Sequence, residues 1–180
     1  MKVLFLVQGF KVAASRYRVL NYIPYLNEHG VETTVSLYPR NPVEIMGFLG
    51  RLPEYDCLFL QRKRFRGALL ALVRKRARKI IYDFDDSVMY RNSRAGDPHS
   101  KTRMKRFGDM VRASDFVIAG NRFLMEQTLP FTKKVDVLPT ALDAGRYIAK
   151  DYSENKERVT IGWIGDHGSI HYMEKMNPVN

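Results

Sequence analysis

The sequence predicts an α/β protein: a Rossmann-like, doubly wound and mostly parallel sheet with helices on both faces. Three observations carry that statement. Apolar runs of strand length recur along the chain. Most are almost wholly apolar instead of alternating, as expected of parallel strands buried on both faces. Segments of helical period separate them, giving the βαβαβαβ order that builds an open parallel sheet.

The elements follow in order. Strands are expected at Lys2–Val7, Val31–Leu37, Cys57–Gln61, Lys79–Tyr82, Asp115–Ala119, Val135–Leu138 and Val159–Ile164. Between the first two, residues 16–29 place Val19, Leu20, Ile23 and Leu26 on one face and stop at Gly30, a good residue for the position after a helix. Pro24 implies a kink there. Residues 67–78 turn Leu69, Leu70, Val73 and Ala77 to one side. Residues 100–113 and 121–129 are weaker helical segments. The stretch "DAGRYIAKDYSENKER" is polar and reads as a linker before a fresh strand, "VTIGWIG". A strand, a loop and part of a helix cannot form a core alone. The expected organisation is therefore a domain at 1–149, a linker at 150–158 and the truncated start of a second domain at 159–180.

The 180 residues, 45% hydrophobic and 27% charged, have the profile of a globular protein and not of a disordered one. Cys57 is the single cysteine, so an intramolecular disulfide and a cysteine-based zinc site are excluded, and a reducing cytosol fits. "MKVLFLV" is too short for a signal-peptide apolar region. No stretch of about 18 apolar residues exists to span a membrane. The net charge is +11, and nine of the Lys and Arg residues fall between Gln61 and Tyr82 with no acid among them. Such a field attracts nucleic acid, anionic lipid or phosphorylated ligands. At residues 74–79 the cations also suit a helix C-terminus, so a solvated face is their first explanation. A basic amphipathic helix resting on an anionic membrane is the functional alternative. Phe65 is the one aromatic in the segment, which leaves no stacking platform for nucleic acid.

In open α/β sheets ligands bind beyond the carboxyl ends of the strands, so the segments following each strand hold the candidate chemistry. After the first strand comes "QGFKVAASRYRV". Ser15 is placed to cap a helix beginning at Arg16. Arg16 and Arg18 then fall in its first turn, where the macrodipole disfavours cations. Either they clamp an anion with the free N–H groups, or they are solvated surface arginines. "GWIGDHG", residues 162–168, is spaced GxxGxxG, so the dinucleotide fingerprint fails, although a glycine turn can still expose N–H groups to a phosphate. "KIIYDFDDSV" places Asp83, Asp85 and Asp86 directly after an apolar run. It nearly matches the DxDx(T/V) motif of haloacid-dehalogenase-like phosphatases. That reading lacks its second acid, because Ile170 stands where one should follow Asp166, and it has the motif on the fourth strand instead of the first.

Taken in order, "ASRYRVLNYIPYLNEHGVETTV", "YDCLFLQR", "KIIYDFDDSV", "ASDFVIAGNRFLMEQT", "VDVLPTALDAGRY" and "TIGWIGDHGSIHYM" resemble the N-terminal half of a GT-B glycosyltransferase of the large retaining family 4, also called group 1. The resemblance covers essentially the whole chain. It implies two Rossmann-like domains facing a cleft, an acceptor domain here and a nucleotide-sugar domain beginning near Val159. It implies retention of anomeric configuration and no obligate metal or cofactor. Gly9, Arg16, Arg18, Asn121 and Thr140 become acceptor-binding candidates, and Gly165 and Gly168 donor-binding ones. Asp85 and Asp86 stand where many relatives carry a histidine facing the donor sugar. There an acid can accept hydrogen bonds from sugar hydroxyls or stabilise positive charge at the anomeric carbon. Alternatively, Asp86 or Ser87 caps the next helix while Asp83 ties down the strand end.

The partners implied are a nucleotide-sugar and a glycan, lipid-linked or phosphate-bearing acceptor, with no nucleic acid. The family's paired-glutamate donor motif is absent from these residues, so the fragment alone is expected to be inactive. Apolar surface exposed by truncation would favour self-association. The implied location is cytoplasmic, with peripheral contact to the inner face of the plasma membrane as a variant. A non-catalytic basic module for anionic membranes or polyanions is the competing class.

Overall fold

The computed structural model describes residues 1–92, 95–146, 148–149, 162 and 164. Residues Met1–Leu142 form one compact unit and Asp143–Asn180 another. In the second unit the described structure is a short 3-10 turn at Ala144–Arg146. The expected linker and the strand at residues 159–164 fall almost wholly outside the described residues, as do Gly165 and Gly168.

The first unit is a parallel sheet of six strands. In chain order they are β1 (Lys2–Val7), β2 (Glu32–Leu37), β3 (Cys57–Gln61), β4 (Ile80–Phe84), β5 (Phe116–Ala119) and β6 (Val135–Val137). Their spatial order is β2-β1-β3-β4-β5-β6, every neighbouring pair is parallel, and the fold is doubly wound α/β. The register aligns Leu6 with Leu60, Leu60 with Tyr82, and Asp83 with Ile118. The chain passes from β1 to β2 on one side and then back across to β3 on the other, so the strand order reverses between β1 and β3, the switch point where ligands of such sheets bind.

Alternating side chains divide the apolar residues into two clusters. On one face Leu4, Leu6, Leu58, Leu60, Ile80, Tyr82 and Phe84 are buried beneath helices α3 (Pro42–Arg51), α4 (Gly67–Arg76), α5 (Lys101–Ala113) and α6 (Arg122–Thr128). On the other, Val3, Phe5, Val7 and Cys57 meet Val19, Ile23 and Leu26. Those last residues come from the helical segment after β1, which is not one kinked helix. It comprises α1 (Ala13–Arg18), a 3-10 turn (Leu20–Tyr22) and α2 (Ile23–Glu28). Val19, at φ −131° and ψ −63°, leaves the helical region, and Pro24 occupies a first-turn position of α2, where its missing N–H costs nothing. Gly30 has φ +77°, the left-handed turn expected after that segment.

One strand boundary shifts by two residues with a physical cause. β4 continues through Asp83 and Phe84, because Asp83 is matched by a guanidinium and can stay in the ladder. The helix α3 is an addition to the elements placed by sequence. It has Asn41 as N-cap, its Oδ1 accepting the Glu44 N–H at 2.9 Å, while Glu44 reaches back to the Arg40 N–H at 2.7 Å.

Candidate functional site

The C-terminal ends of β1, β3 and β4 bring Gln8, Ser15, Arg18, Gln61, Arg62, Asp83, Asp85 and Asp86 together. Ser15 lies inside α1, not ahead of it, and is buried. It is therefore no N-cap: its Oγ donates to Gln61 Oε1 at 2.8 Å. The Gln8 N–H also points at that oxygen, at 3.4 Å, which fixes the orientation of the amide and turns Nε2 away. Gln61 is fully buried, and Nε2 has no hydrogen-bond partner.

Because α1 begins at Ala13, Arg16 and Arg18 sit in its last turn, where cations suit the dipole. This corrects the first-turn placement and removes the argument for an external anion at these residues. Arg18 is 8% exposed, and its anion is internal. Its Nε donates to both carboxylate oxygens of Asp83, at 3.1 and 2.9 Å, and Nη2 closes a second contact. Nη1 donates to Leu138 O at 3.0 Å and to Thr140 Oγ1 at 3.1 Å. Arg18 and Thr140 thus fasten α1 to the end of β6. Burial opposes ionisation of Arg18, but the hydrogen bonds and charge of Asp83 outweigh it and hold the guanidinium more firmly protonated. Arg16 stays exposed, with its guanidinium 4.8 Å from the ring centroid of Tyr17.

Sequence reasoning missed Arg62, the residue on which the acids converge. Its Nε lies 2.8 Å from Asp85 Oδ1, and its Nη2 lies 3.1 Å from Asp86 Oδ2. The Nε–H is not aimed along the first of these contacts, so both atoms lack an aligned hydrogen bond. Arg62 is also the one non-glycine residue of positive φ, +60°, among the described residues. Its surroundings over-determine that conformation: its N–H donates to Asp83 O at 2.7 Å, and its carbonyl accepts from the Tyr82 hydroxyl at 2.9 Å. Nothing local in "LQRKRF" reports this, since every one of these partners is distant in sequence.

Asp85 is held from the other side as well. A Cβ added to Gly120 would lie 2.8 Å from Asp85 Cα, so only glycine allows the end of β5 this close. Asp86 is the open member, its side chain 64% exposed, with Oδ1 accepting the Ser87 N–H at 2.8 Å. Asp83, the first acid of the DxDx(T/V)-like stretch, is 1% exposed and engaged by Arg18, so it is not free to act as that motif's nucleophile. Among the described residues no group of three His, Cys, Asp or Glu side chains converges as a metal site.

The remaining candidates are more peripheral. Gly9 starts the turn after β1, its carbonyl accepting the Val12 N–H at 3.2 Å, and an added Cβ would come within 3.1 Å of Val12. Asn121 caps α6, its Oδ1 accepting the Leu124 N–H at 2.9 Å. Beyond β4, Tyr90 meets His99 edge-on at 5.4 Å and stacks on Phe123 at 6.4 Å, an aromatic rim not singled out in the sequence. A groove of about 600 Å³ runs along β2 and α3 to the loop after β1, lined in part by Phe10, Tyr38, Arg40, Glu44 and Phe48. No helix among the described residues is long and apolar enough to cross a membrane.

Fold and site define a doubly wound α/β protein whose polar residues gather at the switch point of the sheet. No family model and no curated protein matches the chain. Among solved structures it is similar to an alpha-glucosyltransferase in complex with UDP and a 13-mer DNA. The identity is 14% over 79% of this chain and 42% of that one, with a TM-score of 0.48. The same enzyme in complex with UDP gives 14% identity, coverage of 79% and 44%, and a TM-score of 0.47. A pilus assembly-related protein from Burkholderia pseudomallei K96243 gives 15% identity, coverage of 74% and 93%, and a TM-score of 0.36. The chain spans under half the length of the glucosyltransferase chains.

Proposed function

We propose that this chain is the acceptor-side domain of a glycosyltransferase that moves a sugar from a nucleotide-sugar, with retention, to a glycan, lipid-linked or phosphate-bearing acceptor. The observation that carries the proposal is the polar cluster at the C-terminal ends of β3 and β4, where Gln61 Nε2 is buried without a hydrogen-bond partner. Beside it Arg62 Nε and Asp85 Oδ1 form an ion pair at 2.8 Å whose N–H is not aligned on the carboxylate. Buried polar groups in stable proteins are nearly always paired, and exceptions gather where a ligand completes the pairing. A sugar, dense in hydroxyls that donate and accept, is suited to such a site. The resemblance of "KIIYDFDDSV", "GNRFL" and "LPTALD" to retaining family 4 supports the same assignment.

In this proposal Asp86 presents its exposed carboxylate to sugar hydroxyls. Arg62 holds Asp85 and Asp86 apart and leaves the trio one net negative charge, suited to positive charge developing at an anomeric carbon. The donor is bound by a second domain, no metal is required, and residues 1–180 alone do not turn over.

The test is sugar transfer or hydrolysis across a panel of nucleotide-sugars, using a protein that joins this chain to its donor-binding half. Transfer by the joined protein, reduced about tenfold or more in Asp86→Asn, is expected. Turnover by residues 1–180 alone would refute the two-domain mechanism.

A further inference from the structure

Arg18, Arg62, Arg74, Arg78, Arg112 and Arg122 each lie within salt-bridge distance of a carboxylate. Arg16, Arg40, Arg51, Arg66, Arg76 and Arg91 have no such partner among the described residues and are scattered along the chain. Arg64, Arg103 and Arg106 have none either, but they gather around one loop. Arg64 lies in the loop after β3, and Arg103 and Arg106 lie one turn apart at the start of α5. The loop after β4 fixes two of them: Arg64 Nη1 donates to Val88 O at 2.9 Å, and Arg103 Nη1 donates to Tyr90 O at 3.0 Å. The two anchoring carbonyls are two residues apart in one loop, and Arg106 follows Arg103 by one turn of α5. Burial lowers the proton affinity of Arg64, Tyr82 opposes this, and Arg103 and Arg106 lower it further by repulsion. Lys101 and Arg103 also occupy the first turn of α5, which holds no acid.

The two carbonyls and solvent offset part of the repulsion among these cations, and a bound anion would offset more of it. Three guanidiniums offer more donors than the two oxygens of a carboxylate can accept. They match a phosphate, which carries up to two charges and at least three acceptor oxygens. We propose that Arg64, Arg103 and Arg106 form a binding subsite for a phosphate ester, set on the loop that follows Asp85 and Asp86. This subsite takes over the anion-binding part that the sequence assigns to Arg16 and Arg18. That the phosphate belongs to the acceptor rests on the transferase proposal; the phosphate site does not.

Titration of the 180-residue chain with inorganic phosphate at constant ionic strength, read by calorimetry, tests it. Saturable binding is expected, weakened about tenfold or more in Arg103→Gln/Arg106→Gln and unchanged in Arg122→Gln. Arg103 and Arg106 are both exposed, so the double variant should keep its fold, which its circular dichroism checks. Where it does not fold, Arg64→Lys, which keeps the charge but loses the fork, provides the comparison. Absence of saturable binding, equal binding by folded variants, or equal binding of acetate overturns the proposal.

A second arm identifies the source of the phosphate. Phosphatidylcholine vesicles doped with phosphatidic acid, retained through the same arginines and displaced by free phosphate, would indicate a lipid headgroup. Phosphate binding without vesicle retention would indicate a soluble ester. A single-stranded oligonucleotide bound more tightly than phosphate through these arginines would assign the patch to polynucleotides and overturn the proposal. None of these readouts measures sugar transfer, so each proposal can fail without the other.

Discussion

Arg18 and Asp83, 65 positions apart, form the buried ion pair on which the candidate site is built. Asp83 alone in a strand interior would be costly, because a buried charge is tolerated only when paired and hydrogen-bonded. Arg18 supplies that pairing and also satisfies Leu138 O and Thr140. Arg18→Met should therefore cost about 3–5 kcal/mol in urea unfolding, since it strands a carboxylate. Arg18→Met with Asp83→Leu should recover much of that loss, because no charge is left buried. A single variant as stable as the parent would show that the pair has no structural role. The sequence offers either an external anion or solvated arginines at Arg16 and Arg18; Arg18 instead meets Asp83 of the chain itself, and Arg16 lies exposed beside Tyr17. Arg62 was illegible for the opposite reason: its positive φ and its two carboxylates depend on long-range neighbours that leave no local mark.

The strands were legible as elements, because each apolar run is long enough to be buried on both sides. What joins their N-terminal ends was not. Asp56, just before β3, donates its N–H to Lys2 O at 2.9 Å and accepts the Lys2 N–H at 2.8 Å. Asp115, just before β5, repeats the exchange with Ile80, at 2.8 Å in both directions. Each acid thus extends the ladder by one rung and is steadied by an arginine, Arg78 or Arg74. Burial pushes the Asp115 carboxyl upward, but the Arg74 hydrogen bond and the Ile80 N–H outweigh it and hold the group below its ordinary range. A depressed carboxylate contributes stability that is present above its unfolded value, near about 4, and is lost as pH falls through the folded value. Asp115→Asn should thus lower stability at neutral pH and flatten the acid limb of the stability curve below about pH 4. Parallel curves for variant and parent would contradict the latch. The helix α3 escaped notice although its Asn41–Pro42 start and Glu44 are ordinary N-terminal signals. Gly47 and Gly50 weaken the pattern, and Phe48 is its one fully buried residue.

At the scale of the whole molecule, the two faces of the sheet are unequally covered. Four helices pack on one face, whereas α1 and α2 cover the other only over β1, β2 and part of β3. Elsewhere on the sheet, Phe116 is 40% exposed and Leu138 52% exposed. A groove of about 620 Å³ there, lined by Val3, Phe5, Leu26, Phe59, Ile81 and Phe116, is apolar at its floor and edged by Asp56, Lys79 and Asp115. That these strands are apolar on both faces was readable in the sequence. That the groove lies open was not, because periodicity shows which side of a strand is apolar and not what lies against it. Apolar surface of this extent on a parallel sheet favours association, while the charge of +11 opposes it through long-range repulsion. Salt screens the repulsion and leaves the apolar attraction in place. Sedimentation velocity should therefore show the chain associating more strongly as salt rises, and Phe116→Lys/Leu138→Lys should abolish that association. Association that weakens with salt would place its origin in the charged surface, and a monomer at every salt concentration would mean the face is too small to drive contact.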